Sequence, residues 1–164
     1  MSLKKVALIM GSKTDYKILR EAELCIKEFG LKIHVEVVSA HRTPEKMFDF
    51  AKSARDKGYG VIIAGAGGAA HLPGMVAALT TLPVIGVPVT IGKLKGIDAL
   101  LSIAQMPKGV PVATVAVDNA WNAGLLAVQI LSVESAALAK KLDRYRKSQR
   151  TKVRKMNQEI KRKI

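Results

Sequence analysis

Short, unbroken apolar runs closed by glycine or proline, separated by amphipathic stretches long enough to cross a sheet, constrain this chain more than any other feature. Lys5–Met10 is such a run and stops at Gly11. A strand with one wet face alternates apolar and polar residues, whereas a continuous run reads as a strand covered on both faces. Gly60–Ala64, Pro83–Val87 and Val110–Val117 repeat the pattern, and Leu31–Val38 reads as a further strand. Between them the period lengthens to that of a helix. Ile18, Leu19, Ala22, Cys25, Ile26 and Phe29 share one face of a helix over Tyr16 to Phe29, with Asp15 as its cap and Gly30 as its stop. Thr43-Pro44 predicts another helix start, running to about Lys57, and further helices are expected over Leu72–Leu79, Ile97–Ala104 and Ala120–Arg150. Five strands joined by crossovers of this length pair in parallel. The expected fold is α/β: a three-layer α/β/α doubly wound parallel sheet, flavodoxin-like or Rossmann-like, with an added C-terminal helix.

Charge divides the chain unevenly. The net charge is +14, but residues 140–164 hold 12 Lys or Arg against 2 acidic residues, leaving the preceding body at only +4. One catalytic domain over residues 1–150 and a basic tail over 151–164 is the expected organisation. A basic tail is ordinarily a solvated helical face; an RNA-binding tail is the sharper alternative, disfavoured because nothing aromatic beyond Tyr145 is there to stack on bases. No apolar run approaches the ~20 residues that span a bilayer, and the N-terminal stretch carries no secretory pattern. The single cysteine, Cys25, has no disulfide partner in the chain and sits on the apolar face of the first helix, which fits packing in a reducing cytoplasm.

Three loops follow the first three strands and open on one edge of the expected sheet, where ligands of such folds bind. Gly11-Ser12-Lys13-Thr14-Asp15 offers hydroxyls and backbone N–H groups at a helix start, without Walker spacing. As a capping turn and as an anion site it reads equally well. Ser39-Ala40-His41-Arg42-Thr43-Pro44 combines a hydroxyl, a guanidinium suited to phosphate and an imidazole, the side chain that most readily moves a proton near neutral pH. Ala64 to Gly74 is dense in Gly and Ala, so backbone amides can approach a ligand closely, yet it lacks the dinucleotide fingerprint. His71 within it either caps the next helix or lines the same pocket as His41. His34 reads as structural or exposed. Two histidines without a nearby acidic or cysteine partner predict no metal site.

Taken together, these three loops resemble the N5-carboxyaminoimidazole ribonucleotide mutase family of purine biosynthesis (class I, PurE-like). The resemblance continues through Gly86-Val87-Pro88, Ser102-Ile103-Ala104-Gln105-Met106-Pro107, Gly109-Val110-Pro111-Val112-Ala113-Thr114 and Asn122-Ala123-Gly124-Leu125-Leu126-Ala127. It implies a cofactor-free isomerase that moves a carboxylate from the exocyclic nitrogen to carbon 4 of an aminoimidazole ribonucleotide. The carbamate loses CO2, the CO2 stays trapped, and the ring carbon attacks it. By matching motifs, His41 is the proton relay. Ser12, Thr14, Asp15 and Arg42 would hold the ribose 5-phosphate end, with Asp15 on ribose hydroxyls. Ser39, Ala40, Ala66, Gly67, His71 and Leu72 would enclose the imidazole and the migrating carboxylate. A small-residue wall suits a reaction that must keep CO2 from water.

The chain departs from that family at Thr14, where serine is usual, and over Val117-Asp118-Asn119-Ala120-Trp121, where a glycine-containing run is usual. A related animal-type branch carboxylates aminoimidazole ribonucleotide directly with CO2 and has lysine after the histidine, where this chain has Arg42. Resemblance also implies a homo-octamer with sites near subunit boundaries. The Ala/Leu-rich stretch from Ala120 to Leu138 is expected to contribute apolar surface to such an interface.

Overall fold

The computed structural model describes residues 4–162. Five parallel strands, β1 (Lys5–Met10), β2 (Ile33–Val37), β3 (Tyr59–Gly67), β4 (Val84–Val89) and β5 (Ala113–Thr114), form one sheet in the order β2-β1-β3-β4-β5. That is the flavodoxin-like order, whose switch point lies between β1 and β3. Side chains along β1 alternate between two cores. Val6, Leu8 and Met10 pack with α1 (Tyr16–Glu28), α5 (Ala120–Ser132) and α6 (Ala136–Lys161). Ala7 and Ile9 pack with α2 (Pro44–Ser53), α3 (Leu72–Ala77) and α4 (Ile97–Ala104). Burial on both faces is the physical reason β1, β3 and β4 are continuously apolar, whereas the edge strand β2, Ile-His-Val-Glu-Val, is only partly covered.

Several boundaries differ from the sequence expectation. β3 runs on through Gly67, so the first four residues of the expected glycine loop are strand, with Ala66 opposite Pro88 and Gly67 opposite Val89. Gly65 is a glycine because a Cβ there would collide with Leu19 of α1. β5 shrinks to two residues, consistent with Pro111, which has no N–H to give a ladder. α2 ends at Ser53 rather than near Lys57, and the chain turns through Gly58 at φ +80°.

The expected helix over 120–150 is two. α5 ends at Ser132, and α6 restarts with Ser135 as its cap, the hydroxyl accepting from the Leu138 N–H. α6 then runs unbroken through Arg150 to Lys161, and only Leu138 and Leu142 on it are buried. The small residues of α5 have a partner within the fold. A Cβ on Gly124 would lie 2.8 Å from the Cys25 Cβ, so α5 and α1 nearly touch backbones, with Ala120, Ala123 and Ala127 in the same core. Among the described residues no helix is long and apolar enough to cross a membrane.

Candidate functional site

The sheet order brings the loops after β1, β2, β3 and β4 to one edge. Met10 hands the chain to Gly11, whose N–H donates to the Gly65 carbonyl at 3.3 Å, and the Val38 N–H donates to the Met10 carbonyl at 2.8 Å. The ends of β1, β2 and β3 are thereby tied together before any side chain acts.

The first loop winds into a 3₁₀ turn, Lys13–Asp15, and its capping is reciprocal. The Ser12 hydroxyl accepts from the Thr14 N–H at 3.4 Å, while the Asp15 carboxylate accepts from the Ser12 N–H at 3.1 Å. Asp15 therefore caps this turn with its side chain and not α1, correcting the sequence expectation. Only 6% of Asp15 is exposed. Burial pushes its pKa above the ordinary carboxylate value; hydrogen bonds from Ser12 and Thr14 and the Arg42 charge offset this only in part.

The second loop is built around Ser39. Its hydroxyl accepts from the Arg42 backbone N–H at 3.3 Å and from Arg42 Nε at 3.2 Å. Arg42 Nη2 donates to the Gly11 carbonyl at 3.0 Å, which stitches the second loop to the first. Thr43 donates its hydroxyl to the Ser39 carbonyl at 3.0 Å and does not cap α2 with its side chain, again unlike the expectation; Pro44 does stand in the first turn of that helix. His41 Nε2 lies 2.9 Å from His71 Nδ1, with the rings edge to face at 86° and centroids 4.9 Å apart. His71 thus occupies the cap position of α3 without using its side chain there; the ring joins the His41 side of the site.

Ser12, Thr14, Asp15, Ser39, Ala40, His41, Arg42, Ala66, Gly67 and Leu72 line one cavity of about 220 Å³. Of the residues singled out in the sequence, His71 alone does not line it directly, and it borders the cavity through His41. Gly11, Ala69 and Ile91 also line it and were not singled out. Ile91 follows β4, and the rule that strand ends of such sheets bear the ligand could have found it. His34 lies on the edge strand β2, exposed, and bonds Glu36 at 2.9 Å. Cys25 is buried against α5, with its thiol pushed up to about 12 by burial first and by the Glu28 charge second. Such a thiol stays protonated and inert. Among the described residues no three His, Cys, Asp or Glu side chains gather as metal ligands would.

A cavity with one buried carboxylate, one guanidinium, two facing imidazoles and a wall of glycine and alanine can hold an anionic, hydroxyl-rich ligand and move a proton beside it. Known proteins resemble the chain along most of its length. Residues 5–152 match the sequence profile described as AIR carboxylase. A protein of Aquifex aeolicus (strain VF5) named N5-carboxyaminoimidazole ribonucleotide mutase is 61% identical over 138 residues, 84% of this chain and 83% of its own length. A protein of Saccharolobus solfataricus with the same name is 57% identical over 151 residues, 92% of this chain and 96% of its own. The crystal structure of Treponema denticola PurE superimposes with a TM-score of 0.83 at 28% identity, covering 92% of this chain and 94% of that one. By match along most of its length, this chain belongs to the AIR carboxylase family.

Proposed function

We propose that the protein is an isomerase of purine biosynthesis that converts N5-carboxyaminoimidazole ribonucleotide to 4-carboxyaminoimidazole ribonucleotide. The observation that carries this reading is His41, which lines the cavity at the end of β2, paired with His71 and one residue from Arg42. Relatives bearing the mutase name at 57–61% identity support it.

In this reading Arg42 and the start of α2 attract the 5′-phosphate, through guanidinium donors and the positive end of the helix. Ser12 and Thr14 add hydroxyls, and Asp15 accepts from ribose hydroxyls. Ser39, Ala40, Ala66, Gly67, His71 and Leu72 surround the ring and its carboxylate. The carbamate C–N bond breaks as the exocyclic nitrogen takes a proton from His41. Carbon 4 then attacks the released CO2, a C–C bond forms, and the proton on carbon 4 passes back to His41. With Nε2 engaged by His71, Nδ1 is the ring nitrogen left to face the substrate. No cofactor enters this sequence of steps.

His41→Asn keeps the size and polarity of the side chain but not the relay. We expect kcat to fall by roughly 10²–10⁴-fold with little change in KM. Turnover near the wild-type rate would remove His41 from the mechanism. The second reading, direct carboxylation of aminoimidazole ribonucleotide by CO2, is separated by offering each substrate in turn: carbamate without bicarbonate, then aminoimidazole ribonucleotide with bicarbonate. Arg42 in place of lysine favours the mutase.

The same reading makes the protein a cytoplasmic homo-octamer. A cytoplasmic setting suits the free, buried Cys25. Self-association suits the exposed Ile97 and Leu101 on α4 and Leu94 just before it. Light scattering should return the mass of an assembly; a monomer at working concentration overturns the octamer.

A further inference from the structure

Ile91 is an aliphatic side chain, 46% exposed, at the rim of a cavity otherwise lined by polar groups and small or buried residues. A single exposed isoleucine is ordinary on its own. What sets this one apart is what it covers. A Cβ on Gly67 would meet Ile91 Cγ1 and Cγ2 at 3.1 Å, and one on Gly68, at φ +65°, would meet Ile91 Cδ1 at 2.9 Å. The side chain therefore lies on the glycine stretch, supplying there the carbon surface that the glycines lack.

Its base is fixed. The Thr90 N–H donates to Asp118 Oδ1 at 2.8 Å, and the Asp118 N–H donates to the Pro88 carbonyl at 2.9 Å. Asp118 holds a left-handed backbone, φ 59°, which Asp tolerates better than most residues.

We propose that Ile91, anchored through Thr90 to Asp118, is the side chain that keeps CO2 in the cavity and so sets the partition between rearrangement and loss of CO2 to solution. The inference rests on the mutase reading. CO2 is uncharged and gives hydrogen-bond donors little to grip, so its retention depends on how completely the walls exclude water. Once the C–N bond has broken and the nitrogen has its proton, two fates compete. Either carbon 4 attacks and gives up its proton, or CO2 escapes and leaves aminoimidazole ribonucleotide with carbon 4 still protonated. Ile91 takes no part in either bond change and is a positioning residue.

The test follows both products from carboxylate-labelled N5-carboxyaminoimidazole ribonucleotide in bicarbonate-free buffer, with spontaneous decarboxylation subtracted. Ile91→Ser, at an exposed position that opens no core, should raise the ratio of aminoimidazole ribonucleotide to carboxylated product by roughly tenfold, about 1.4 kcal/mol in relative barrier. KM should move little. Asp118→Gly removes the acceptor while accommodating the backbone, and should shift the ratio the same way. Asp118→Asn keeps an acceptor oxygen and should restore it. A lower kcat at an unchanged ratio in Ile91→Ser overturns the proposal, and an unchanged ratio in Asp118→Gly overturns the anchor. If the wild-type protein does not rearrange the carbamate at all, the mutase reading itself has failed, which is a separate result.

Discussion

At the scale of single residues, Asp15 shows function set against stability. Its folded pKa lies above the ordinary value of 3.8, with burial as the leading cause. The folded state thus holds its proton to higher pH than the unfolded chain does. Stability from this group is fully present below 3.8 and declines as pH rises through the raised folded value. Glu36 runs the other way. Burial is the largest single influence on it, but hydrogen bonds from His34 and Lys46 and their charges together outweigh burial and lower its pKa, so its contribution fades as pH falls. Because Asp15→Asn leaves Glu36 in place, the difference between variant and wild type isolates Asp15. Urea denaturation from pH 3.5 upward should show that difference moving in favour of the variant with rising pH, while substrate binding weakens. A difference independent of pH would remove the buried charge as its cause. The polar and glycine residues of the cavity were legible in the sequence because they sit at the ends of recognisable strands, and Ala40, Ala66 and Leu72 only through the family resemblance. Ile91 was readable only by its place after β4, since an aliphatic side chain announces no chemistry and its relation to Gly67 and Gly68 exists only once β3 and β4 are paired.

Elements were legible wherever one covering face dictates one period. β1 is read correctly to the residue because both cores act on it, and α4 because its apolar face and its bounds agree. The misreadings have specific physical sources. Gly65-Ala66-Gly67 resembles a loop by composition, yet it is strand because it pairs with β4 along its length, and Leu19 of α1 occupies the place of a side chain at position 65. Gly65→Ala should therefore destabilise the fold by about 1–3 kcal/mol, the usual cost of overpacking, measured as a lowered denaturation midpoint at constant slope. Leu19→Ala combined with it should cost less than the two single changes added, since each relieves the other. Strict additivity would show that the two positions do not meet. The division of α5 from α6 is hidden in the sequence because Val133-Glu134-Ser135 breaks no periodicity; the Ser135 hydroxyl capping Leu138 is a local device among many serines.

For the molecule as a whole, the part of α6 beyond Arg150, exposed throughout, is the feature that the rest of the fold does not require. The 26 residues of α6 span about 39 Å at 1.5 Å per residue, and beyond Leu142 none of them is buried. Ending the chain after Arg150 removes 6 Lys or Arg and 1 acidic residue, so the net charge drops from +14 to +9 while Leu138 and Leu142 stay. The shortened protein should melt within a degree or two of the full chain and keep its kcat. Its encounter with substrate should nonetheless change. A phosphorylated, carboxylated substrate is an anion drawn through solution by the summed field of the protein, and that field reaches only ~8 Å past the surface at physiological ionic strength. The long basic helix thus acts as an antenna: kcat/KM of the full chain should fall more steeply with added salt than that of the shortened one. What this helix contributes would then be measured in arrival times rather than in stability or chemistry.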